Sequence, residues 1–178
     1  MVIIVTGAIG IGKTTVCLKL IEALRSGGYT CSGIFTYKAA DKGIIVEDIQ
    51  SGEKETLASV NNVYHGPHTA KYSFNPKAID FGIQVIDKGT SSSSILLVDE
   101  IGQLELRGEG FVKALELIKS GAVEKSILVI RKELLSAFLA QLDTPLSIYE
   151  TTINNRDELP QKIYSFLTAS SPLFPIQC

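Results

Sequence analysis

The sequence predicts an α/β fold: a mostly parallel central sheet flanked by helices, with an added antiparallel hairpin. Three observations carry this expectation. Short β-branched runs alternate along the chain with longer stretches of helical period, the pattern of strands joined by crossover helices. One stretch after the second run alternates apolar and polar residues like a hairpin. A chain of 178 residues, 45% of them apolar, is of single-domain size and large enough for one core without disulfides or a structural metal.

The elements follow in order. Val2 to Thr6 reads as the first strand, and Lys13 to Ser26 as a helix in which Cys17, Leu20, Ile21 and Leu24 recur at i, i+3, i+4 and i+7, one face built for burial. Gly27-Gly28 suit a left-handed cap at its end, and Arg25 complements the dipole there. Ser32 to Tyr37 is the second strand. The run GIIVEDIQSGEKETLAS is the hairpin, turning at Ser51-Gly52. A helix from Pro76 to Lys88, a serine loop at Ser91 to Ser94 and a strand from Ile95 to Val98 come next. Phe111 to Lys119 and Lys132 to Leu142 read as helices on either side of a strand at Ile127 to Ile130. Ser147 to Thr151 and Arg156 to Thr168 are the last strand and helix. Residues 1–170 are expected to form one domain. Pro172 and Pro175 make 171–178 an irregular tail.

Charge excludes more than it suggests. With 17 Lys+Arg against 19 Asp+Glu the net charge is -2, which gives no general attraction to nucleic acid or to an anionic membrane. No apolar run approaches a membrane span, and the opening MVIIVTG has no basic leader, so a cytoplasmic protein is expected. Cys17, Cys31 and Cys178 have no C-x-x-C spacing and read as reduced thiols. His65 and His68 have no Cys or carboxylate beside them to complete a transition-metal site.

The decisive motif is GAIGIGKT, which meets G-x-x-x-x-G-K-[ST] directly between an expected strand and an expected helix. Its glycines let successive backbone N–H groups turn inward on phosphate oxygens, and the helix adds its positive N-terminal end. Gly7, Ala8, Ile9, Gly10, Ile11, Gly12, Lys13 and Thr14 are therefore the candidate phosphate cradle. Lys13 reaches the β- and γ-phosphates, and the Thr14 hydroxyl ligates Mg²⁺. A second motif ends the run Ile95 to Val98 in two acids. Asp99 would stand near Mg²⁺ at the carboxyl end of its strand, and Glu100 would polarise a water for in-line attack.

Arg25, Arg107, Arg131 and Arg156 are the arginines available to a γ-phosphate. Arg131 and Arg156 follow expected strands, at the sheet edge where ligands gather, and rank above Arg107. Asp99 to Gly102 also reads D-x-x-G. Asn154 to Asp157 reads N-x-x-D, but Asn155 holds the position of the lysine that a guanine-specific site carries.

Taken together, GAIGIGKT, VDEIGQLEL and TTINNRDELPQKI resemble the nucleoside-triphosphatase family first described from thermophiles, which has a cancer-related relative in higher eukaryotes. SGIFT and KYSFNPKAID extend the resemblance over almost the whole chain. It implies a RecA-like P-loop NTPase fold and slow, base-promiscuous hydrolysis of ATP, GTP and other triphosphates. It also implies nucleotide contacts from Leu97, Val98, Asp99, Glu100, Ile101, Gly102, Gln103 and Leu104. The chain departs from the family at Tyr37-Lys38-Ala39-Ala40, where acidic and arginine residues are common, and at Gln103, where proline or lysine is usual. Mg²⁺-dependent triphosphate hydrolysis is the expected function. A small-molecule kinase and a nucleotide-dependent switch share its parts and stay open as alternatives.

Overall fold

In the computed structural model, which describes residues 1–142 and 144–169, the first apolar run becomes β1 (Val2–Gly7), buried along its whole length. Helix α1 (Lys13–Ser26) has the expected bounds and ends in a Schellman motif. The Tyr29 amide bonds Leu24 O and the Gly28 amide bonds Arg25 O, both at 3.0 Å, with Gly28 left-handed at φ 83°. Strand β2 (Cys31–Lys38) leads into the hairpin β3 (Ile44–Asp48) and β4 (Lys54–Ser59), and a two-residue β5 (Ser73–Phe74) extends it. Then come α2 (Pro76–Ser92), β6 (Ile95–Ile101), α3 (Gln103–Leu106), α4 (Val112–Lys119), β7 (Ser126–Arg131), α5 (Leu135–Leu139), β8 (Leu146–Glu150) and α6 (Leu159–Ala169).

The eight strands lie in the order β5-β4-β3-β2-β6-β7-β1-β8. From β2 to β8 every pairing is parallel, and β3, β4 and β5 continue the sheet antiparallel. Side chains alternate between two cores, as a pleated strand requires. Ile3, Val5, Ile95, Leu97, Ile127 and Val129 pack towards α1 and α6. Ile4, Leu96, Val98, Leu128 and Ile130 pack towards α2 and α4.

Several boundaries differ from expectation for local reasons. The serines after Lys88 are partly helical, because the Ser92 hydroxyl bonds Lys88 O at 3.0 Å and α2 runs on to it. The stretch Lys132 to Leu142 splits into a 3-10 turn at Lys132–Leu134 and the short α5, since only Phe138 and Leu142 in it are buried. Helix α6 starts at Leu159 rather than Arg156, with Pro160 in the first turn, where a missing N–H costs nothing. The elements β5 and α3 are too short to show a period. Arg25 does not stay at its own helix end but donates to Ile49 O beyond β3. The expected tail 171–178 lies outside the described residues.

One glycine joins the parallel core to the antiparallel extension. At Gly33 φ is +112°, and a Cβ would stand 1.8 Å from Leu97 O on the neighbouring β6. Gly33→Ala is expected to cost about 3 kcal/mol or more, through strain and a forced separation of β2 from β6. Thermal unfolding should then fall by roughly 6 °C or more, and an unchanged midpoint would contradict this packing.

Candidate active site

The phosphate loop leaves β1 and enters α1 through Gly12, whose φ of 107° opens the helix start. No side chain caps α1, and its first turn holds no acid, so its orphan N–H groups and positive dipole end face the loop uncompensated. By contrast the Asn75 side chain caps α2, accepting from the Lys77 amide at 3.1 Å. An uncapped helix start under a glycine loop is built for an anion. Lys13 is 6% exposed, and its ammonium donates to Gly7 O and Ala8 O, each at 3.0 Å. A cation is thus held inside the loop on neutral acceptors, which a phosphate oxygen outcompetes.

Across the loop, Asp99 follows Ile95 and Leu97 on the α1 face of the sheet and is 1% exposed. Burial pushes its carboxyl up to about 7; the Glu100 charge adds to this, while a hydrogen bond donated by the Thr14 hydroxyl and the Lys13 charge oppose it. Its Oδ2 has no partner. The ladder between β6 and β7 slips between Asp99 and Ile101, so Glu100 stands out of register. Ile101 returns to the α2 face, and Glu100 meets Arg131 at the end of β7. Both contacts, Nε at 2.6 Å and Nη2 at 2.5 Å, land on Glu100 Oε1. Arg131 pairs in register with Gly7, so this ion pair stands level with the start of the phosphate loop. Its side chains are 39% and 22% exposed, and a pair this open contributes on the order of 1 kcal/mol or less. An incoming anion can therefore draw Arg131 away cheaply.

Arg156 stands on the other side of the loop, on the turn between β8 and α6, where a Cβ on Gly12 would lie 3.9 Å from its Cδ. Together with Thr15, Val16, Lys19 and Asp157 it borders a recess of about 200 Å³ beside α1. Arg107 lies elsewhere, bonded to Glu109 and, at 2.7 Å, to His68 O. In the second motif Leu97, Val98 and Ile101 are fully buried and Leu104 is nearly so. Their side chains fill the two cores and hold the acidic pair in place. Gly102 and Gln103 remain at the surface. Gln103 is the first residue of α3, a position that proline suits equally, so the departure from the family there leaves the turn intact.

Asn155 has a structural task. Its Oδ1 accepts from the Thr152 amide and its Nδ2 donates to Glu150 O, both at 2.8 Å. The Tyr37 departure is a clamp across β2, β3 and β4: the Tyr37 hydroxyl bonds Glu47, which also holds Lys54 at 3.1 Å. His68 bonds Asn62. The sequence did not signal Glu105, which is 5% exposed and whose carboxylate accepts from the Gly102 amide at 2.7 Å and the Phe111 amide at 2.8 Å. It fastens the segment behind Glu100, and only its place three residues after Gly102, as in a capping box, hinted at this.

A glycine loop on an uncapped helix, a buried lysine and an acidic strand end define a P-loop nucleotide-binding protein of the α/β class. The chain belongs to the NTPase family, whose model matches residues 2–164. It is 29% identical over 168 residues to the nucleoside-triphosphatase THEP1 of Methanopyrus kandleri, covering 90% of this chain and 92% of that relative. To the THEP1 of Thermofilum pendens it is 30% identical over 171 residues, with 90% and 91% covered. The crystal structure of THEP1 from the hyperthermophile Aquifex aeolicus shares the fold, with a TM-score of 0.76 at 21% identity over 94% of this chain and 99% of that one. No helix among the described residues is long and apolar enough to cross a membrane.

Proposed function

We propose that the chain hydrolyses nucleoside 5′-triphosphates to the diphosphate and phosphate, with Mg²⁺ and with little regard for the base. The observation that carries this is the meeting, on one face of the sheet, of Lys13, the open start of α1 and a buried Asp99 with an orphaned oxygen. The donors suit Mg²⁺: a carboxylate and a hydroxyl are hard oxygen ligands, and a cation removes the cost of ionising Asp99 in the interior. Asp99, directly or through a water, and Thr14 would hold the ion, which supplies neutralisation of charge on the phosphate oxygens.

The chain's own groups do the rest. Loop amides and Lys13 hold the β- and γ-phosphates and stabilise charge as the γ-phosphoryl group leaves. Glu100 takes a proton from the attacking water. Arg131, released from Glu100, stands level with the loop to meet the γ-oxygens. Indifference to the base is supported by the recess at Arg156, whose one planar group stacks on any base and whose Asp157 is tied to Lys19 at 3.1 Å.

The test is phosphate release from ATP, GTP, CTP and UTP with and without Mg²⁺. Comparable rates with all four are expected, and no release from any would overturn the proposal. P-loop hydrolases without an arginine on the γ-phosphate turn over at about 10⁻⁴ to 10⁻² s⁻¹. Arg131→Ala should therefore lower kcat by roughly ten-fold or more, whereas Arg156→Ala should raise KM for every nucleotide alike. Arg107→Ala serves as the control. Parent rates in both site variants would show that no arginine of this chain acts on the phosphates.

A further inference from the structure

Glu100 also borders a cavity of about 300 Å³ on the α2 side of the sheet, and the Glu100–Arg131 pair in its lining stands level with the start of the phosphate loop. Its floor is apolar, built from Ile44, Leu57, Phe74, Ile79, Leu104 and Phe111. Its mouth carries Thr36, Tyr72, Glu100 and Arg131. A hydrolytic water needs on the order of 30 Å³ and two to four polar partners, so this space is about ten-fold too large and its walls are of the wrong kind for water alone. It falls at the small end of ligand pockets. Glu100, the carboxylate next to Asp99, and Arg131 are the half-buried charged groups in this lining.

We propose that this cavity is an acceptor site for a small uncharged alcohol with an apolar, ring-like body, to which the γ-phosphoryl group passes in place of water. The inference rests on the triphosphate site described above. The body would lie on the floor among Phe74, Leu104 and Phe111, and the hydroxyl would face Glu100. The acceptor is uncharged because the cavity has few cations to offer: Arg131 is committed to Glu100 or, once released, to the γ-oxygens, and Lys71 is exposed at the rim, over the Tyr72 ring. A phosphorylated acceptor needs more cations than that. In the step, the hydroxyl oxygen bonds to the γ-phosphorus as the bond from that phosphorus to the β–γ bridging oxygen breaks. The hydroxyl proton passes to the Glu100 carboxylate, and the diphosphate leaves with the bridging oxygen and its electron pair. The products are a phosphomonoester and a nucleoside diphosphate. Glu105, though it lines the same cavity, is spent on the Gly102 and Phe111 amides and takes no part.

The probes are benzyl alcohol and 3-hydroxymethylpyridine, given to the full chain with Mg²⁺-ATP and followed by phosphorus NMR beside a sample without alcohol. A phosphomonoester signal that grows with the alcohol, at the expense of phosphate, is expected. Ala70→Trp blocks the mouth from an exposed rim position and should lower the ratio of ester to phosphate by about ten-fold or more. Phosphate alone with both alcohols overturns the acceptor site and leaves the hydrolase reading standing. An ester whose ratio to phosphate is untouched by Ala70→Trp places transfer outside this cavity and also overturns it. Neither product, with or without alcohol, means that the hydrolase reading itself has failed.

Discussion

Lys13→Ala is expected to bring turnover below detection and to weaken triphosphate binding by at least about 10² to 10³. Lys13 is the buried cation in the loop, 3.0 Å from both Gly7 O and Ala8 O, and no other lysine or arginine is buried in that loop. Its removal leaves two backbone carbonyls turned towards the place where the phosphate must sit, so the site loses an attraction and keeps a repulsion. Lys13→Arg should not restore activity, because a planar guanidinium does not fit a point-charge position between two carbonyls. The chain should stay folded, since the loop is open and its carbonyls can turn to water. The measurements are calorimetric titration with a non-hydrolysable triphosphate and phosphate release, checked against far-ultraviolet circular dichroism. Parent activity in Lys13→Ala would end the assignment of the phosphate loop.

What could be read from sequence was whatever lay close together along the chain. The phosphate loop is eight consecutive residues between a strand and a helix, and both neighbours took shape where the apolar spacing placed them. The hairpin was equally local, with its turn at Ser51-Gly52 between β3 and β4. The shortest elements, β5 and α3, were not legible in this way. The turn of α3 is four residues long, and Lys132 to Leu142 shows a helical period that too little burial supports.

The site's long-range pairings needed the sheet order. Arg131 meets Glu100 because β7 lies beside β6 and a slipped register turns the carboxylate towards it, which no spacing in the sequence encodes. The cavity draws residues from β2, β3, β4, β5, α2, the ends of β6 and β7 and the segment after β6, so it exists only once the antiparallel extension has folded against the parallel core. Apolar positions in the second motif show the converse. Leu97, Val98 and Ile101 looked like part of a contact segment, yet alternation commits their side chains to the two cores and leaves the chemistry to the acids they position.

Glu100→Gln is expected to lower kcat by roughly 10² to 10⁴, about 2.7 to 5.5 kcal/mol in the barrier, with Mg²⁺-nucleotide affinity kept. The amide keeps the size of the carboxylate and can still accept from Arg131, but it cannot take a proton from an attacking water. Because the pair with Arg131 is open to solvent, losing its charge should change stability by only about 1 kcal/mol or less, so a large kinetic effect cannot be put down to unfolding. Asp99 makes the natural comparison. Asp99→Asn removes the buried charge on the α1 face, beside Thr14, and should cost Mg²⁺-nucleotide affinity as well as rate, whereas Glu100→Gln should spare affinity. The two variants therefore separate the acid that holds the nucleotide's counter-charge from the acid that moves a proton. Equilibrium binding at saturating Mg²⁺, read beside single-turnover phosphate release, makes the distinction: if binding and turnover fell together in Glu100→Gln, Glu100 would serve the metal or the fold, and proton transfer would have to be assigned to another group.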